Sequence, residues 1–143
     1  MPVQARSRLV VLDDHACREV LHRHAIGRLG FSAAALPVVL PVNFAVDGDS
    51  IYFRTEPGIK LDAARASAVV CLEVDDYDAL NHTGASVLAT GRLRLITEAE
   101  ELAALRDLPL LPWGAPAAEH LVQLPIELLS GRELTLPTAL PTA

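Results

Sequence analysis

The chain has 143 residues, 51% of them hydrophobic, and a formal net charge of −6. That length and apolar content give a single domain with a sizeable core and exclude intrinsic disorder. The acidic balance excludes a broad basic face for nucleic acid, although it leaves room for a local phosphate pocket.

The most apolar stretch, Leu36 to Val46, is interrupted by Pro37, Pro41 and Asn43. It falls short of the about 20 residues that cross a bilayer, so no membrane partner is expected. No basic-then-apolar segment opens the chain, and the cytoplasm is the expected compartment. Cys17 and Cys71 read as free thiols rather than a disulfide framework. An apolar fraction this high in a short chain points to a covered subunit face.

In chain order, Asp13 is placed to cap a first helix that runs to about His24, with Ala16, Cys17, Val20, Leu21 and His24 at helical spacing. Gly27 opens an extended stretch, Arg28 to Ser32, and a second strand is expected from Pro37 to Val46. Asp47-Gly48-Asp49 marks a hairpin turn, and Ile51 to Thr55 is the returning strand. Pro57-Gly58 turns the chain into a short helix, Ile59 to Ala66. Val69 to Val74 reads as a buried strand, closed by the acidic residues Asp75, Asp76 and Asp78. After the loop Asn81-His82-Thr83-Gly84, Ser86 to Thr97 forms a long strand in which Gly91 marks a bulge or a close backbone approach.

Thr97-Glu98-Ala99-Glu100 has the form of a capping box for a helix that reaches about Leu108. A proline-rich connection, Pro109 to Pro116, carries Trp113. Strands near Leu121 to Glu127 and Leu129 to Leu134 complete the domain, and the tail from Pro137 to Ala143 is expected to fray. About six or seven strands joined by short turns, with helices inserted, predict a mainly β fold: a small antiparallel barrel with peripheral helices. No G-x-G-x-x-G follows a strand, so a dinucleotide fingerprint is not supported.

Lys60 is the one lysine of the chain, and every other long basic side chain is arginine. It closes the segment Arg54-Thr55-Glu56-Pro57-Gly58-Ile59-Lys60. Arginine offers a planar fork of donors, threonine a hydroxyl, lysine a compact charge, and a helix start free N–H groups, which together suit a phosphate. The plainer alternative makes Arg54 a cross-strand partner and Lys60 a solvated helix residue.

Six segments then resemble the flavin-binding split-barrel family of pyridoxamine 5'-phosphate oxidase-like proteins. They are Ala25-Ile26-Gly27-Arg28-Leu29-Gly30-Phe31, Leu40-Pro41-Val42-Asn43-Phe44, Tyr52 to Lys60, Glu73-Val74-Asp75, Ser86-Val87-Leu88-Ala89-Thr90-Gly91-Arg92, and Gly131-Arg132. The resemblance spans about Asp13 to Leu134 and implies a six-stranded antiparallel split barrel of the FMN-binding type. It implies a homodimer with the cofactor at the subunit interface. Arg54, Thr55 and Lys60 would hold the FMN phosphate, with Pro41, Val42 and Asn43 beside the ring. Ser86 and Val87 would come from the partner subunit. The implied activity is reduction of a small electrophilic substrate. A deazaflavin on the same barrel, or a flavin or haem carrier without turnover, are the alternatives.

Two features depart from the family pattern or add to it. Ala85 stands where many relatives carry an aromatic residue, which removes one wall over the cofactor. Trp113 and Arg132 are candidates for shaping the substrate side, against a core anchor for Trp113 and an acidic neighbour for Arg132. The histidines His15, His22, His24 and His82 complete no zinc pattern, and Asp75, Asp76 and Asp78 lack the spacing of a calcium loop, so no metal is expected. No catalytic residue is assigned.

Overall fold

A computed structural model describes residues 8–110 and 119–135. Trp113 and the tail from Pro137 lie outside the described residues. In chain order the elements are β1 (Arg8–Val11), α1 (Asp14–His22), β2 (Ile26–Ala33), β3 (Leu36–Asn43), β4 (Ala45–Asp47), β5 (Ser50–Thr55) and α2 (Ile59–Arg65). They continue with β6 (Val69–Asp78), β7 (Thr83–Arg92), β8 (Arg94–Leu95), α3 (Ala99–Ala104), β9 (His120–Pro125) and β10 (Leu128–Thr135).

The strands form two antiparallel sheets, ordered β1-β10-β7-β6-β2-β3 and β4-β5-β9-β8. The two sheets do not join into one ring, so the fold is a mainly β split barrel, as the sequence predicts. Strand alternation sends Leu29, Leu72, Val74, Val87 and Ala89 of the large sheet inward to meet Ile51, Phe53, Val122 and Leu124 of the small one. Cys17, Val20 and Leu21 of α1 join the same core. Burying side chains of this size contributes roughly 1.5–3 kcal/mol each.

The predicted strand from Pro37 to Val46 is in fact two. β3 pairs with β2 in the large sheet, β4 with β5 in the small one, and the chain crosses between them at Phe44. Phe44 is buried, and its N–H donates to Ala25 O at 2.9 Å. The predicted strand from Ser86 to Thr97 divides in the same way at Leu93, which is buried and donates to Ala68 O at 2.9 Å. Gly91 just before this crossing is a close approach, because a Cβ there would lie 1.9 Å from Pro125 O of β9.

Three further expectations are corrected. The helix near Thr97 is capped at Glu98, with no side-chain cap bond, and ends at Ala104. Just after β8, Ile96 is buried and bonded through its N–H to Leu121 O at 3.0 Å, and the helix begins only at Ala99. The strand expected to close at Asp75 runs on through Asp75, Asp76 and Asp78, of which Asp75 and Asp78 are exposed. Arg28 pairs with Asp75 at 3.3 Å and Arg23 with Asp76 at 2.9 Å. β1, which no local signal announces, exists by pairing with β10.

Asp13 does cap α1, its carboxylate accepting from Ala16 N at 2.8 Å. The β4–β5 hairpin turns at Gly48, whose φ of 58° suits glycine. The β2–β3 hairpin instead turns on Ala34 and Ala35, with φ of 50° and 64°. Left-handed alanine costs about 1–2 kcal/mol per residue, and glycine gives part of that back as chain entropy. Ala35→Gly is therefore expected to stabilise the protein by about 0.5–1 kcal/mol, read as a higher urea midpoint. A lower midpoint would mean that the turn does not hold Ala35 left-handed.

Candidate functional site

β5 runs through the middle of the small sheet, paired with β4 on one side and β9 on the other. Its residues are buried except Arg54, which is half-buried and opposite Leu121. Thr55 is the last residue of the strand and one of the few buried polar side chains. Glu56, Pro57 and Gly58 then reverse the chain into α2, and Lys60 returns toward the strand end. Val42, Asn43, Arg54, Thr55, Gly58 and Lys60 line one cavity of about 300 Å³, with the carboxylates of Glu56 and Glu119 on the same wall.

Thus five of the residues singled out in the sequence, Val42, Asn43, Arg54, Thr55 and Lys60, meet in one place. Among the described residues no carboxylate lies within ion-pairing distance of the Arg54 guanidinium or the Lys60 ammonium, and every ion pair that forms is elsewhere. Burial pushes the Lys60 ammonium below the ordinary lysine value, and the charge of Glu56 opposes this. A half-buried cation without a contact counterion gains from any anion that enters the cavity. The Thr55 hydroxyl donates to Glu56 O at 3.0 Å, so it must rotate to serve a ligand. α2 has only seven residues and no side-chain cap, which leaves the side chains rather than a long helix dipole as the source of positive potential.

Pro41, Ser86 and Val87 lie apart from this cavity. Pro41 is exposed opposite Arg28 on the large sheet. Val87 is buried in the core, so its side chain reaches no ligand. Ser86 is exposed on the outer face of β7 and lines a second cavity, of about 520 Å³, together with Arg132. Arg132 has no acidic partner among the described residues, contrary to the ion pair offered as its alternative role. His15 pairs with Glu19 at 3.0 Å and His24 lies 4.0 Å from Asp76. Among the described residues no three histidine, cysteine or acidic side chains group as a metal site. Among them, too, no helix is long and apolar enough to cross a membrane.

Glu73 was not singled out as a site residue in the sequence. On β6 it faces Arg28 of β2 and Leu88 of β7, and its Oε1 is buried without a hydrogen-bond partner. Burial, a hydrogen bond with Asp75 and the charge of Asp75 push its carboxyl up to about 7, against the pull of Arg28. The signal was present in the alternation Glu73, Asp75, Tyr77, which puts polar groups on one strand face.

An open, mainly β split barrel of two antiparallel sheets defines the class of this protein. The model of the pyridoxamine 5'-phosphate oxidase family matches residues 13–133. The chain is 32% identical over 143 residues to the uncharacterized protein Rv0080 of Mycobacterium tuberculosis, covering 96% of this chain and 93% of that one. The FAD binding protein of Mycobacterium smegmatis superposes with a TM-score of 0.76 at 29% identity, over 90% of this chain and 100% of that one. A proposed pyridoxamine 5'-phosphate oxidase from Corynebacterium glutamicum gives 0.79 at 27% identity, again over 90% and 100%. The chain belongs to the pyridoxamine 5'-phosphate oxidase family.

Because the Glu73 value lies above the 4.5 of a free glutamate, the folded protein holds an extra proton between about pH 4.5 and 7. Its contribution to stability falls as pH rises through that window. Glu73→Gln keeps the neutral form at every pH. The melting temperature of this variant is expected to match wild type near pH 5 and to exceed it at pH 8. Parallel curves at both pH values would show that Glu73 is ionised throughout.

Proposed function

We propose that the chain is a flavin-binding oxidoreductase that grips the flavin phosphate with Arg54, Thr55 and Lys60. The observation that carries this reading is the half-buried Lys60 ammonium, in no ion pair among the described residues, in the same cavity as Arg54. Two cations and a hydroxyl match a group with nearly two negative charges at neutral pH. The residues present therefore fit the phosphate end of a flavin. At about 300 Å³ the cavity is at the small end of ligand pockets, so it would hold the phosphate end of a flavin, with Val42 and Asn43 available to the rest of the molecule.

FMN is the first candidate cofactor. FAD presents the same chemistry to the cradle, and the name of the Mycobacterium smegmatis relative favours it. A deazaflavin remains the third. The bound cofactor supplies two-electron chemistry, and the protein supplies position and water exclusion. The reaction we favour is reduction of a small electrophile in the cytoplasm.

The ring's second wall comes from a second copy, and so the working unit is a homodimer. This rests on the outer face of the large sheet, where Leu9, Val11, Val39, Leu88 and Leu128 are exposed on the side that bears Ser86. An apolar surface spread over that many strands is more than a soluble monomer leaves open. Ser86 of the partner subunit, and the backbone of Val87 beside it, complete the cofactor site.

Titration with FMN, FAD and a deazaflavin in parallel tests the cofactor. Lys60→Ala is expected to weaken flavin binding by about 1.5–3 kcal/mol, roughly ten- to a hundredfold, with the melting temperature of the free protein little changed. Equal affinity in both proteins would remove Lys60 from the site. Light scattering at micromolar concentration is expected to give twice the chain mass, and Leu88→Arg to halve it. A monomeric wild type would overturn the dimer.

A further inference from the structure

The second cavity, of about 520 Å³, shares no lining residue with the phosphate cradle. Its floor is a row of side chains across four adjacent strands of the large sheet. In register, Arg132 of β10 stands opposite Ser86 of β7, and Ser86 opposite Asp75 of β6. Arg28 of β2 ends the row and pairs with Asp75 at 3.3 Å. The row thus reads guanidinium, hydroxyl, carboxylate, guanidinium. The Arg28–Asp75 pair neutralises one half and leaves the charge of Arg132 uncompensated beside the Ser86 hydroxyl.

The walls have different chemistry. Leu9 and Leu134, directly paired between β1 and β10, give an aliphatic side. Tyr77 also lines the cavity and is 66% exposed, which leaves much of a large aromatic side chain open to a ligand. Gly84, paired with Leu134 on one side and Tyr77 on the other, carries no side chain there, which leaves the space open. A free guanidinium binds carboxylate through two parallel hydrogen bonds, and a ring offers a flat apolar surface.

We propose that this cavity is a binding site for a flat apolar carboxylate, with Arg132 and Ser86 holding the carboxylate and Tyr77 and Leu134 the aromatic body. The site is made of this chain's own side chains. Only its place beside the cofactor, as the substrate pocket of the dimer, rests on the function proposed above.

Calorimetric titration of the flavin-free protein with 2-naphthoate and with its neutral amide tests the site. The acid is expected to bind at least tenfold more tightly than the amide. Arg132→Ala should lose at least tenfold in affinity for the acid and none for the amide, and Arg132→Lys should recover part of the loss. Tyr77→Ala should weaken both ligands alike, since the ring contacts the apolar body. Equal binding of acid and amide, no binding at millimolar concentration, or wild-type affinity in Arg132→Ala would overturn the proposal. So would conversion of Arg132→Ala to a monomer in light scattering, which would make Arg132 a subunit contact. FMN titration of the same variants separates the two readings. Naphthoate binding without FMN binding would leave this pocket standing and remove the flavin from it.

Discussion

The two sheets meet backbone to backbone where Gly91 of β7 lies against the carbonyl of Pro125 in β9. No side chain fits there, so the large and small sheets come together at this point and the inward side chains of both meet in one core. Phe53, Leu72, Val87 and Leu124 are then buried by both sheets at once. The crossings at Phe44 and Leu93 follow from the same geometry. Each places a buried apolar residue at the seam and satisfies its N–H at the last rung of a large-sheet ladder, Phe44 on Ala25 beside β2 and Leu93 on Ala68 beside β6.

With the inner faces committed to the core, chemistry is left to the strand ends and to the outer face of the large sheet. At the end of β5, Arg54 and Lys60 hold positive charge on a chain with a net charge of −6. The net charge describes the far field. Within the cavity both cations are part of the lining, in a partly desolvated setting where charge interactions are stronger than at the surface. Glu56 and Glu119 on the same wall limit how much negative charge the pocket attracts, and so favour a ligand that makes directed hydrogen bonds over any anion at all.

Much of this was legible in the sequence because the signals were local. Asp13 caps its own helix, Asp47-Gly48 turns its own hairpin, and Arg54 to Lys60 span one strand end and one turn. What stayed hidden depends on contacts distant in sequence. Nothing near Phe44 or Leu93 marks a change of sheet, because the neighbour that ends each strand is far away in the chain. Ala34-Ala35 lacks the glycine or asparagine that normally announces a tight hairpin, and its left-handed backbone is imposed by the pairing of β2 with β3. Thr97 has the right residue type for a cap, yet tertiary burial of Ile96 outweighs it. The acidic run hid the length of β6, because the strand is carried on to Asp78 by its pairing with β7.

The outer face also explains why Glu73 tolerates a buried, unpaired oxygen. Arg28 stands opposite it but is already engaged by Asp75, so Glu73 and Asp75 compete for one guanidinium. Holding a proton on Glu73 resolves the competition, and the Arg28–Asp75 pair then stays intact. That pair in turn keeps Arg28 from neutralising a ligand that Arg132 is to hold, or from competing for it. The state of Glu73 is thereby coupled to how much positive charge the outer face presents. On the dimer reading, a second copy covers this face, excludes water from Glu73 still further and favours its neutral form.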